Sequence, residues 1–266
     1  MKVLVTADLH ADVWQKHGSD LLSLAEPFFS DLDMLVVAGD LASDPSREWP
    51  RILDRLSRMI APSRISIIPG NHDYWGWRLD NDSGLRAICD AAGVNFAQKH
   101  TIKAGDVRIL CCTLWTDFNL LSHQDAAMTV AQSEMFDYRA INPFRNGRRP
   151  TPADTARIFE EHVHWLEDEL SSPFHGSTFV VTHHAPHPDV AGDLDRRTPA
   201  FVSNLSGLIR RHQPTGWLFG HTHRSLEASD GQTLIRNVSF GYPEEAGECN
   251  IASLLARGLI IDGVLI

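Results

Sequence analysis

Apolar residues come in short blocks along this chain, and most blocks end in a polar turn. Lys2-Val3-Leu4-Val5-Thr6-Ala7, Met34–Ala38 and Ile65–Ile68 have the length and β-branched content of buried strands. Helical segments are predicted between them, over roughly Ser19–Phe29 and Arg47–Ile60. Strand and helix in alternation imply βαβ units with parallel pairing, an α/β architecture. A further strand is predicted over Val107–Leu114.

The pattern then weakens from about Trp115 to Pro150, a stretch with a basic end at Arg139, Arg145, Arg148 and Arg149. An irregular segment of this length reads as an elaborated loop or small cap with short helices. Regular patterning resumes at Thr151-Pro152-Ala153-Asp154, which supplies an N-cap Thr, a Pro at the first helical position and an acid at the third. Phe159, Val163, Leu166 and Leu170 continue that helix at its period. Strands are expected at Thr178–Thr182, Trp217–Phe219 and Leu234–Val238, a helix near Phe201–Arg211, and closing strands over Ile251–Ile266. With no internal repeat or linker, residues 1–266 read as a single domain carrying an insertion at about 115–150.

Composition narrows the function classes. A net charge of −10 disfavours a broad nucleic-acid surface but leaves a phosphate substrate open, because bound cations reverse the local sign. No apolar run is long enough for a membrane span. The carboxylate at Asp8 comes too early for a signal peptide, so a cytoplasmic protein is expected. Cys89, Cys111, Cys112 and Cys249 form no C-x-x-C pair, and the adjacent Cys111 and Cys112 read as buried thiols in a strand.

The 14 histidines matter through their placement. Asp8-Leu9-His10, Gly39-Asp40, Gly70-Asn71-His72-Asp73, Thr182-His183-His184 and Gly220-His221-Thr222-His223 each follow an apolar strand. Strand ends of an α/β sheet are where ligand sites collect, so the five segments are expected in one crevice. Carboxylates, imidazoles and one amide oxygen suit Mn, Fe, Zn, Co or Ni, and they are too numerous for one tetrahedral ion. Gly39, Gly70 and Gly220 each precede a candidate ligand, where the lack of Cβ permits a sharp turn and close backbone approach.

The ordered series D-x-H, G-D, G-N-H-D, H-H and G-H-x-H, running from residue 8 to residue 223, resembles the calcineurin-like metallophosphoesterase superfamily. The resemblance implies a sandwich of two mixed β-sheets flanked by helices, a four-layer αββα fold. It implies two divalent metal ions, one held by Asp8, His10 and His223, the other by Asn71, His183 and His221, with Asp40 bridging. His72 would be the catalytic acid beside a bridging hydroxide that attacks phosphorus in line. The chain departs from some relatives. Leu41-Ala42-Ser43-Asp44 lacks the Tyr ligand of purple acid phosphatases, and Ser43 stands where protein phosphatases carry the Asp that orients the catalytic His.

Outside that set, His184, His187 and Arg139 are the candidates for substrate contact, each with a packing or solvated-loop role as the plainer reading. Asp73 is expected to serve as a structural hydrogen-bond acceptor, and Asp12 as a solvated loop residue. Tyr74, Trp75 and Trp77 could form an apolar wall for the leaving group or pack in the core. The activity expected is hydrolysis of a phosphomonoester or phosphodiester of small size. A nuclease would need a basic groove, which only residues 139–149 offer, and a non-catalytic scaffold would be expected to have lost His72 or several ligands.

Overall fold

A computed structural model describes residues 1–246 and 251–266, so Cys249 lies outside the described residues. The first sheet contains β1 (Lys2–Thr6), β2 (Met34–Ala38), β3 (Ile65–Ile68) and β4 (Asn95–Phe96). The second begins with β5 (His100–Ala104), β6 (Val107–Cys112), β7 (Ser177–Thr182) and β8 (Gly216–Phe219), and adds β9 (Glu227–Asp230) and β10 (Thr233–Asn237). The chain then returns to the first sheet with β11 (Leu259–Ile261) and β12 (Val264–Leu265). The orders are β12-β11-β1-β2-β3-β4 and β5-β6-β7-β8-β10-β9. The β1–β4 run and the β6-β7-β8-β10 run are parallel, with antiparallel strands at the edges.

Strand alternation explains the layering. Val3, Val5 and Ala7 of the first sheet share a buried cluster with Ile109, Cys111, Phe179, Val181 and Leu218 of the second. That cluster is the seam between the sheets. The intervening residues Leu4, Leu35, Val37, Leu110 and Cys112 face the other way and join a cluster with helical Trp49, Leu53, Leu56, Leu85 and Leu166. Two mixed sheets flanked by helices result, as the resemblance implies. No helix among the described residues is long and apolar enough to cross a membrane.

Several elements differ from expectation. Ile251–Ala256 is a helix, and only β11 and β12 close the first sheet. A short apolar run fits either state, and here the helix places Leu255 in the core. Helices Ala11–Lys16 and Asp82–Ala91 and strands β4, β5 and β9 went unpredicted. β4 is too short to show a period, and the edge strands β5 and β9 carry polar residues such as Lys103 and Glu227. The helix near Phe201–Arg211 is shorter, spanning Ser206–His212.

The helix Pro152–Ser171 has the expected capping box between Thr151 and Asp154. Its buried stripe, however, runs through Thr155, Phe159, His162, Leu166 and Leu170, with Val163 only half-buried. His162 Nδ1 accepts the Leu114 N–H at 3.1 Å, closing the end of β6. Burial pushes this imidazole down to about 3. Between pH 6.5 and 3 the unfolded chain therefore binds a proton at His162 that the folded one does not, and stability falls as pH falls. The expected cost at pH 5 is roughly 2 kcal/mol relative to neutral pH. His162→Gln keeps an acceptor for Leu114 and should flatten this slope in denaturant unfolding at pH 7, 6 and 5. An unchanged slope would assign the acid sensitivity elsewhere.

Candidate metal centre

The five segments meet at the C-terminal ends of the parallel strands. Asp8 and His10 follow β1, Asp40 follows β2, Asn71 and His72 follow β3, His183 follows β7, and His221 and His223 follow β8. Among them Asp8, His10, Asp40, His221 and His223 hold positive φ angles, between 38° and 68°. Left-handed backbone at a non-glycine residue costs on the order of 1–3 kcal/mol and persists where the surroundings enforce it. The glycines act by close approach. A Cβ on Gly220 would lie 2.6 Å from Asp8 Oδ2, and one on Gly39 would lie 2.8 Å from the Gly70 Cα.

The donor atoms form overlapping groups: Asp8, His10 and His223; His10, Asp40 and His72; Asp40, His183 and His221. Their lone pairs converge in a way that calls for a cation. His183 Nδ1 donates to the Ala38 carbonyl at 3.0 Å, so its Nε2 is an unprotonated acceptor in the neutral ring. That Nε2 faces Asn71 Oδ1 at 2.9 Å and Asp40 Oδ1 at 3.5 Å. The Asn71 orientation is set by its Nδ2, which donates to Asp137 Oδ1 at 2.8 Å. In the other group His10 Nε2 and His223 Nε2 stand 3.2 Å apart, and His223 Nε2 is 3.1 Å from Asp8 Oδ1. Among the described residues, His221 Nε2 is buried without a hydrogen-bond partner. The chemistry of these donors suits a divalent ion.

Electrostatics agree with that fit. Burial pushes His10 down to about 3 and holds His72 and His221 well below the usual imidazole range, leaving neutral rings with free lone pairs. Burial, then the charges of Asp8 and Asp73, raises Asp40. At His223 burial is outweighed by Asp8 and Glu245, which lift it to about 10. A cation placed there satisfies the same carboxylates as that proton.

Asp73 does what was expected of it. Its carboxylate accepts the backbone N–H groups of Asp40, Ala42 and Gly70 at 2.7, 3.1 and 2.8 Å, and the Trp49 indole N–H at 3.0 Å. Asp12 is a correction: it is buried in the helix Ala11–Lys16 and paired with Lys16 at 2.9 Å. The His72 ring stacks on Trp75, centroids 3.5 Å apart, and is 13% exposed. Asp44 turns to Ser46 and offers His72 nothing.

The three substrate candidates lie apart from the donors' open face. His184 is buried behind His221, with its Nδ1 3.3 Å from the Thr113 carbonyl. His187 Nε2 is 3.2 Å from Asp230 Oδ2 of β9. Arg139 is exposed, its guanidinium over the Phe136 ring. The groove over the donors measures about 360 Å³, and its walls include Trp75, Phe136, Phe201, Tyr242 and Arg197.

Sequence reasoning missed Asp137, Tyr242 and Glu245. The chain beyond β10 runs beside β1, with the Phe240 N–H donating to the Ala7 carbonyl at 2.8 Å, and this delivers Tyr242 and Glu245. The Tyr242 ring stacks on His10 at 4.4 Å, and Glu245 Oε2 is 2.6 Å from His223 Nδ1. An acid following a candidate ligand His by some twenty positions carries no signal in the sequence.

The chain is 21% identical to an uncharacterized protein of Acanthamoeba polyphaga mimivirus over 241 residues, covering 83% of this chain and 82% of that protein. Among solved structures it is similar to the phosphopantetheinyl hydrolase of Mycobacterium tuberculosis, with TM-score 0.77, 19% identity and coverage of 98% of this chain and 95% of that one. A Thermus thermophilus protein matches with TM-score 0.51, 13% identity and coverage of 90% and 88%. These likenesses concern the fold. The profile of the calcineurin-like phosphoesterases matches residues 1–225, the stretch that contains all five strand-end segments. With that match spanning most of its length, the chain belongs to the calcineurin-like phosphoesterase family, and by that membership is a metal-dependent phosphoesterase.

Proposed function

We propose that the chain hydrolyses a small phosphomonoester or phosphodiester with two divalent ions. Asp8, His10 and His223 hold one ion, Asn71, His183 and His221 hold the other, and Asp40 bridges them. The observation that supports this most directly is Asp40 itself, buried between two convergent donor groups, with Oδ2 3.5 Å from His10 Nε2 and Oδ1 3.5 Å from His183 Nε2. Bound there, the ions supply Lewis acidity to the phosphoryl group and lower the pKa of the attacking water.

The chain's own residues do the rest. His72 projects into the groove beside Asp40 and is the group that carries a proton to the leaving oxygen. Burial, then His10 and His183, lowers its affinity for that proton, and a substrate phosphoryl dianion acts in the opposite direction. Trp75, Phe136, Phe201 and Tyr242 exclude water from an organic leaving group, and Arg197 is the arginine that lines the groove. Residues 1–266 act as one catalytic unit, with the 115–150 segment as a cap whose Met135, Phe136 and Asp137 reach the groove. A nuclease is disfavoured, because Arg139, Arg145, Arg148 and Arg149 stand outside that lining.

The test is turnover by purified protein, stripped and reloaded with Mn, Zn, Fe or Ni, on matched chromogenic phosphomonoester and phosphodiester substrates. A phosphopantetheinyl ester, the class named for the Mycobacterium tuberculosis structure, belongs in the panel. Metal-dependent turnover is expected. Two bound ions with no turnover on any ester would favour a non-catalytic scaffold.

A further inference from the structure

The side chain that orients His72 is not replaced locally. Ser43 and Asp44 give it no carboxylate, and among the described residues no carboxylate accepts a hydrogen bond from its ring. The ring is instead held by stacking on Trp75. The Trp75 indole N–H donates to Asp137 Oδ1 at 2.8 Å, and the Asn71 Nδ2 donates to that same oxygen, also at 2.8 Å. Asp137 is buried and starts the short helix Asp137–Ala140 within the 115–150 segment. The segment is fixed around it: Tyr138 Oη is 2.9 Å from Thr155 Oγ1, and the Gly76 N–H donates to the Ala140 carbonyl at 3.0 Å.

We propose that Asp137 is a positioning residue with two outputs, one to the metal centre and one to the proton donor. Resting on the phosphoesterase reading above, the inference gives the cap a catalytic purpose beyond covering the groove. Through Asn71, the Asp137 oxygen keeps the amide NH2 turned away, so that Asn71 Oδ1 and not Nδ2 faces the donors. Through Trp75, it fixes the plane on which the His72 imidazole lies. One acceptor atom thereby couples a metal ligand to the leaving-group acid.

The experiment separates those outputs. Asp137→Ala removes the acceptor, Asp137→Asn keeps an oxygen that accepts both hydrogen bonds, and Trp75→Phe keeps the stacking surface but removes one donor. Each is assayed on a nitrophenyl phosphate, whose leaving group departs as a stable anion, and on an alkyl phosphate, whose leaving group needs a proton. Metal affinity is measured separately by calorimetric titration of the stripped protein with Mn. Asp137→Ala should weaken one of the two bound ions by about 10–100-fold and lower kcat on the alkyl ester by a further ~10-fold or more relative to the aryl ester. Asp137→Asn should restore most of both. Trp75→Phe should leave metal affinity at the wild-type value and shift only the alkyl-to-aryl ratio.

A purely structural Asp137 would lower turnover on both esters alike, with the ratio and metal affinity kept, and that result would overturn the proposal. So would wild-type behaviour of Asp137→Ala. If Asp137→Ala does not fold, an unchanged ratio in Trp75→Phe overturns the proton-donor arm and unchanged affinity supports the separation of the two. If the wild type cleaves neither ester, the phosphoesterase reading fails, while the titration still decides whether Asp137 supports a metal site.

Discussion

Asp40→Asn is expected to lose both ions together while keeping the fold. The carboxylate is the shared member of two donor groups, with one oxygen turned to His10 and the other to His183. Asn keeps the shape, and its amide oxygen can still accept the His72 backbone N–H that Asp40 Oδ1 now accepts at 2.9 Å. It lacks the charge that offsets two cations. The loss of affinity should exceed the roughly 10–100-fold that removing a mere supporting partner costs, and turnover should fall at least in proportion. Elemental analysis of the variant after desalting is the direct measurement. One ion retained at full occupancy would rule out the bridging role.

His72→Ala carries the second large effect and the opposite metal outcome. In the proposed mechanism His72 supplies a proton and no metal–ligand bond, so both ions stay while turnover of an alkyl ester falls by about 10²–10⁴. The drop should be much smaller for an aryl ester, whose leaving group departs as a stable anion. His72 is half-buried and stacked on Trp75, so truncation leaves a void open to the groove, and global stability should change little. Equal losses on both esters would mean that His72 acts on the phosphoryl oxygens and not on the leaving group. Full activity would remove it from the mechanism.

Much of the centre was legible in the sequence because its residues obey a positional rule. Asp8, Asp40, Asn71, His183 and His221 stand one to three residues past strands whose apolar runs are unmistakable, and parallel strands bring their C-terminal ends to one edge. The layer order was legible only through the resemblance, since alternation along β1 does not say what lies on either face. Asp137, Tyr242 and Glu245 were hidden because short helices and irregular chain deliver them, and no period marks such positions. Asp12 misled for a related reason. A lone carboxylate after a ligand motif looks like loop, and only the unpredicted helix Ala11–Lys16 explains its burial. His162 shows the same limit within a well-predicted helix, where the polar residue and not Val163 takes the core position.

The division of the proposed ligands between the two sheets has a consequence for how the protein comes into being. Asp8, His10, Asp40 and Asn71 hang from β1, β2 and β3, and His183, His221 and His223 from β7 and β8. Neither proposed ion's set of ligands is complete on one sheet, although the His10, Asp40 and His72 group lies wholly on the first. During synthesis the four proposed ligands of the first sheet would therefore emerge more than a hundred residues ahead of His183, the first of those on the second sheet. In the proposed centre, metal capture would follow the pairing of the two sheets. Ions held there would tie the sheets together at their strand ends, and a chain truncated before His221 would lack two of the proposed ligands.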